Sequence, residues 1–129
     1  MQLTLLSEEL WFPPADRALP DGLLAVGGDL SAERLLLAYR SGIFPWYNDD
    51  EPPLWWCPDP RFVLYPNELR VSKSMKQVIR RGEFEFRMNT AFAHVIALCA
   101  DTPRPGQDGT WITTDVEDAY IHMHQLGYR

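Results

Sequence analysis

Residues 21–63 read DGLLAVGGDLSAERLLLAYRSGIFPWYNDDEPPLWWCPDPRFV, and the fold turns on how this run divides. Leu23 to Val26 is a short apolar run with the character of a strand, stopped by Gly27-Gly28. Ser31 is a good N-cap, because its hydroxyl can accept from a first-turn amide. A helix over 32–40 follows, built on Leu35, Leu36 and Tyr39, with Gly42 at its C′ position and Pro45 preventing continuation. Residues 49–60 contain Pro52, Pro53, Pro58 and Pro60, which predicts an extended linker with little hydrogen-bonded structure. A domain boundary is expected near residue 60. Three of the five tryptophans, Trp46, Trp55 and Trp56, lie in this stretch with Tyr39 and Tyr47. So many rings in a stiff connection exceed the needs of a core and suit a pocket wall.

Upstream, residues 1–20 read as strand-poor and end in a turn rich in proline (Pro13, Pro14, Pro20). Downstream, residues 61–65 predict a strand, and Ser72 caps a helix that runs through Arg81 to Gly82. Residues 84–88 alternate as FEFRM, the pattern of a second strand. Asn89 or Thr90 is the expected cap of a helix whose apolar face is Phe92, Val95, Ile96 and Cys99. After a loop with Pro103, Pro105, Gly106 and Gly109, Trp111-Ile112-Thr113 leads into a capping box, Thr114-x-x-Glu117. The last helix carries Val116, Ala119, Tyr120 and Met123 on one stripe and stops at Gly127. Helices and strands interleave without repeats, so the expected class is mixed α/β (α+β).

Bulk composition narrows the function classes. An apolar share of 46% with 23% charged residues belongs to a soluble globular chain. No run approaches the ~18 apolar residues of a membrane span. The opening MQLTLLSEELW lacks a basic n-region, so no signal peptide is expected. Cys57 and Cys99 match no metal or redox spacing and read as free thiols in a reducing compartment. A net charge of −6 disfavours indiscriminate nucleic-acid binding. Yet Arg70, Lys73, Lys76, Arg80 and Arg81, five of the twelve basic residues, fall within 70–81 without one acid. That segment can still attract a polyanion.

On the predicted helix, Lys73, Lys76, Gln77 and Arg80 share a face, with Arg81 at its edge and Met75, Val78 and Ile79 opposite. A single-sign stripe backed by an apolar one can present cations to successive phosphates. A solvated surface face is the ordinary alternative, but such faces usually intersperse both signs. Tyr39, Phe44, Trp46, Tyr47, Trp111 and Tyr120 form either a core between the two regions or a platform on which a base stacks. His122 and His124 point about 200° apart on a helix, so one metal cannot use both. His94 lies opposite the apolar face of its helix. Gly27-Gly28 reads as a tight turn, since Asp29 would repel a phosphate there. No Ser-His-Asp, Cys-His or Gly-x-Ser-x-Gly arrangement supplies a nucleophile.

The strings LLAVGGDLSAERLLLAYRSGIFPWY, LWWCPDPRFVLYP, SKSMK and GTWIT, in that order, resemble the leucyl/phenylalanyl-tRNA–protein transferases over about residues 12–127. The resemblance implies a cytoplasmic bacterial aminoacyltransferase, a monomer at full length, that needs no cofactor and no metal. Such an enzyme moves leucine or phenylalanine, and less well methionine, from aminoacyl-tRNA to proteins beginning with arginine or lysine. That transfer marks the acceptor for degradation by the N-degron (N-end rule) pathway. The implied organisation is an N-terminal α/β domain over 1–60, then the incomplete start of an acetyltransferase-like (GNAT-like) domain over 61–129. By matching position, Trp46, Trp111, Tyr39 and Tyr120 are implied to bind the aminoacyl-adenosine, and Lys73, Arg80 and Arg81 the tRNA backbone. Gln77 stands where a basic residue is expected, and Lys76 one position earlier is expected to compensate. Acyl transfer from an already activated ester needs positioning, a proton acceptor and oxyanion help rather than a protein nucleophile. The family's residues for amine activation lie beyond position 129, so no catalytic residue is expected in this chain. Two other readings stand beside this one: a non-catalytic tRNA-binding fragment, and an aromatic-rich protein-interaction module.

Overall fold

The computed structural model describes residues 2–106 and 109–128. Its strands are β1 (Thr4–Leu6), β2 (Leu23–Gly27), β3 (Phe44–Pro45) and β4 (Leu54–Trp56). Its α-helices are α1 (Ala32–Arg40), α2 (Lys73–Arg81), α3 (Phe92–Asp101) and α4 (Thr114–Gln125). The strands form one mixed sheet in the order β1-β2-β4-β3. β1 runs parallel to β2, while β4 is antiparallel to both β2 and β3. The fold class is mixed α/β, as the interleaved pattern predicts.

α1 starts and stops where the sequence indicates. The Ser31 hydroxyl accepts from the Arg34 amide at 3.2 Å, and Gly42 takes the left-handed φ of 74° that a side chain would resist. Ser72 caps α2 in the same way, accepting from the Met75 amide at 3.1 Å, and Gly82 closes it in the left-handed region. In α4 the cap falls one residue earlier than expected. Thr113 rather than Thr114 accepts, from the Val116 amide at 3.4 Å, because Thr114 already has helical geometry. α3 also departs from its expected cap. Asn89 sits at φ 60° and leaves the cap position to Ala91, whose methyl group cannot accept a hydrogen bond.

Four strand expectations are corrected. β1 lies within residues 1–20, which read as strand-poor. Residues 54–56, assigned to the linker, form the inner strand β4, because the prolines flank the ladder rather than enter it. Pro53 keeps its carbonyl, which accepts from the Gly27 amide at 2.8 Å. The predicted strands at 61–65 and 84–88 are absent from the sheet. Phe62, Phe84, Phe86 and Met88 are all exposed, and no neighbouring strand among the described residues offers them a ladder.

The core gathers Leu24, Ala25, Leu35, Ala38, Ile43 and Trp55 between α1 and the sheet, and α4 adds Met123 to the same cluster. The stripe predicted on α4 is therefore its buried face, with Val116 fully buried and Ala119 and Tyr120 half-buried. In the first turn of α1, Arg34 is buried, donating to the carbonyls of Ser7 (2.9 Å) and Glu9 (3.3 Å) and pairing with Asp29 at 3.4 Å. Its aliphatic stem also fills the space beside Gly28, where a Cβ would meet the guanidinium at 3.0 Å.

Candidate functional site

The four aromatic residues singled out from sequence come together in space. β3 ends just before Trp46, α1 carries Tyr39 near its C-terminus, and Trp111 and Tyr120 flank and sit on α4. The Trp46 and Trp111 indoles stack with centroids 4.8 Å apart and planes at 15°. Tyr120 meets Trp111 edge-on at 6.4 Å and Tyr39 edge-on at 6.3 Å. The Tyr39 and Tyr120 hydroxyls share a hydrogen bond of 2.6 Å. This is a continuous chain of π-faces and edges, and it is not sealed: Trp46 is 46% and Tyr39 51% exposed. Since the two indoles already touch, a planar ligand would add to an outer face of the pair.

Trp55 and Trp56, read as pocket wall, have other duties. Trp55 is fully buried, donates from its indole N–H to the Gly27 carbonyl at 2.9 Å, and takes the edge of Phe12 at 4.9 Å. Trp56 is half-buried and donates to the Trp46 carbonyl at 2.7 Å, which fixes the backbone that presents the Trp46 ring.

Burial pushes the Tyr120 hydroxyl well above the usual phenol range, and the bond to Tyr39 adds to the rise. Tyr47 is also raised, first by burial and then by the carboxylates of Asp115 and Asp49. The folded state therefore holds both protons more tightly than the unfolded chain, whose tyrosines titrate near pH ~10. Their contribution to stability is complete below that pH and is lost as pH rises past it. Melting temperature should stay level from pH 8 and fall on the alkaline side, with the fall shallower in Tyr120→Phe. A melting temperature that climbs with alkalinity would contradict this.

The four predicted cations, Lys73, Lys76, Arg80 and Arg81, are exposed along α2 with Gln77. Among the described residues only Arg81 has an acidic neighbour within ion-pair reach, Glu83 at 4.0 Å, a solvent-facing contact of little energetic weight. Met75 and Ile79 on the opposite face are exposed as well. Among the described residues α2 shares no side-chain hydrogen bond with the elements bearing the rings. The structure assembles the aromatic group and leaves the cationic helix apart from it. His94 is exposed, and His124 stacks on Phe92 at 5.0 Å instead of turning toward His122.

Sequence reasoning missed the burial of Arg34 and of Tyr47. An arginine inside the apolar run ERLLLAY was the available signal for the first. No local signal distinguished Tyr47 from the exposed Trp46 beside it. Among the described residues no helix is long and apolar enough to cross a membrane.

Comparison with known proteins places these residues in a family. Residues 63–129 match the family model described as leucyl/phenylalanyl-tRNA protein transferase, and residues 28–59 match the model of its N-terminal domain. A leucyl/phenylalanyl-tRNA–protein transferase of Anaeromyxobacter sp. (strain Fw109-5) is 56% identical over 128 residues, covering 99% of this chain and 54% of the relative. One from Oleidesulfovibrio alaskensis is 55% identical over 127 residues, covering 98% and 51%. One from Xylella fastidiosa (strain M12) is 54% identical over 119 residues, covering 91% and 49%. The chain thus spans about half the length of the curated relatives it matches. Trp46 falls within the first matched segment and Trp111 within the second, so the stack joins the two, and the chain belongs to the leucyl/phenylalanyl-tRNA protein transferase family.

Proposed function

We propose that this chain is the aminoacyl-tRNA-gripping part of an aminoacyltransferase that moves leucine or phenylalanine, and less well methionine, from tRNA to a protein N-terminus. The observation that carries the reading is the stack of Trp46 on Trp111, edged by Tyr120 and open to solvent. Trp46, Trp111, Tyr39 and Tyr120 hold the terminal adenosine and its ester, by π-contact and by the hydroxyl pair. Lys73, Lys76, Arg80 and Arg81 take the tRNA backbone, through counterion release rather than base reading. Acceptors beginning with arginine or lysine, entry into the N-degron (N-end rule) pathway and a cytoplasmic location complete the proposal. The gap between the two matched segments, 60–62, supports a boundary there, with residues 61–129 opening an acetyltransferase-like (GNAT-like) domain.

The chemistry is acyl transfer. The acceptor's α-amine attacks the ester carbonyl, and the ribose oxygen leaves with a proton. The residues of this chain orient the adenosine side of that ester, whose group-transfer free energy already drives the reaction.

Titration of tryptophan fluorescence with leucyl-tRNA at several salt concentrations tests the grip. Binding should weaken steeply with salt, and Lys73→Glu should lower the slope of log K against log salt by about one. Salt-independent binding would overturn the tRNA assignment. A second reading is tRNA binding without turnover, which the exposed cations of α2 would support on their own. Transfer of labelled leucine to an arginine-initiated peptide separates the two.

A further inference from the structure

β3, the two-residue strand that delivers Trp46 to the stack, has little of its own to hold it in place. It lies at the edge of the sheet, paired with β4 on one side only, and Pro45 has no amide hydrogen to give the ladder. Trp46, just beyond it, is 46% exposed, so burial does not fix its ring. A near-parallel stack at 4.8 Å nevertheless requires both planes to be held.

Contacts from outside the strand supply that hold. At its far end both backbone groups of Trp46 are engaged by β4. The Trp46 amide donates to the Leu54 carbonyl at 3.0 Å, and its carbonyl accepts from the Trp56 indole at 2.7 Å. At the near end the hold comes from Arg61. Its Nη2 donates to the Gly42 carbonyl at 2.8 Å, just past the C-terminus of α1, where the helix dipole favours a cation. The same guanidinium lies 5.6 Å from the centroid of the Phe44 ring. Among the described residues no carboxylate pairs with Arg61, so its fork engages these two groups instead. Phe44 in turn sits opposite Trp56 in the ladder. Arg61 and Trp56 therefore grip residues 42–46 from both ends. Arg61 stands in the 60–62 connection, outside both matched segments, and reaches back onto the first of them.

On the reading of the rings as an adenosine platform, we propose that Arg61 is a positioning residue for the aminoacyl-adenosine: acting with Trp56 through β3, it sets the plane of Trp46 against Trp111. Arg61 lines a different cleft, with Ala15 and Cys57, and so works through the strand rather than by touching the ligand.

The test uses the full chain isotope-labelled at tryptophan, in which NOEs between the Trp46 and Trp111 rings report the stack without ligand. Arg61→Ala and Trp56→Phe should each weaken those NOEs. Each should also weaken leucyl-adenosine binding about threefold, the worth of one exposed cation–π contact or one hydrogen bond. Arg61→Lys, which keeps a donor for the Gly42 carbonyl but not the planar fork, should restore part of the loss. In a Trp46→Ala background Arg61→Ala should change affinity no further, because the ring it orients is gone. Ring NOEs unchanged in Arg61→Ala would overturn the proposal. So would a loss of affinity that persists in the Trp46→Ala background, the mark of general unfolding. A wild-type chain that fails to bind leucyl-adenosine sinks the platform reading instead, and the ring NOEs still decide whether Arg61 sets the stack.

Discussion

Trp55→Ala should destabilise the protein by about 3–5 kcal/mol, the cost of deleting a large buried aromatic side chain. Trp55 is fully buried, touches Phe12 at 4.9 Å and belongs to the cluster shared by the sheet, α1 and α4. Its loss also strands the Gly27 carbonyl that accepts from the indole. In a chain of this size such a change lowers the melting temperature on the order of 10 °C or more. The adjacent Trp56→Ala should cost far less, since Trp56 is only half-buried. Paired thermal melts give the comparison, and equal losses in the two variants would refute the division of labour between them.

Trp111→Ala should weaken leucyl-adenosine binding about tenfold to a hundredfold, in line with ~1–3 kcal/mol per stacked base. Trp111 is the hinge of the aromatic chain: it stacks on Trp46 and meets Tyr120, so its removal disconnects both. Trp46→Ala should do less, because the contact between Trp111 and Tyr120 survives it. Trp11→Ala serves as a control, since Trp11 lies in a different cleft beside Phe12 and Pro13. Fluorescence competition with leucyl-adenosine reads the affinities. Unchanged affinity in Trp111→Ala would remove the stack from the ligand site.

These variants also mark where the sequence was readable. Helices were legible because caps and periodicity are local: Ser31 and Ser72 cap as read, and the stripe on α4 is the buried one. Strands were less so, because a strand exists only with a neighbour. The alternation at 84–88 was real but found no ladder, while 54–56, disguised by flanking prolines, became the inner strand. The family strings identified the four ring residues, and the structure brought them together. Local pattern could not say that Trp55 faces the core while Trp46 faces outward. That depends on the register pairing Pro45 with Trp55 and on which side of the sheet α1 covers.

Arg34 has a consequence for how freely positions near the N-terminus can vary. Its guanidinium engages the carbonyls of residues 7 and 9, groups that every amino acid carries. The side chains of Ser7 and Glu9 are thus open to drift with little penalty from this contact. All the constraint concentrates on position 34, where lysine, a point charge without the planar fork, cannot reach two carbonyls and Asp29 together.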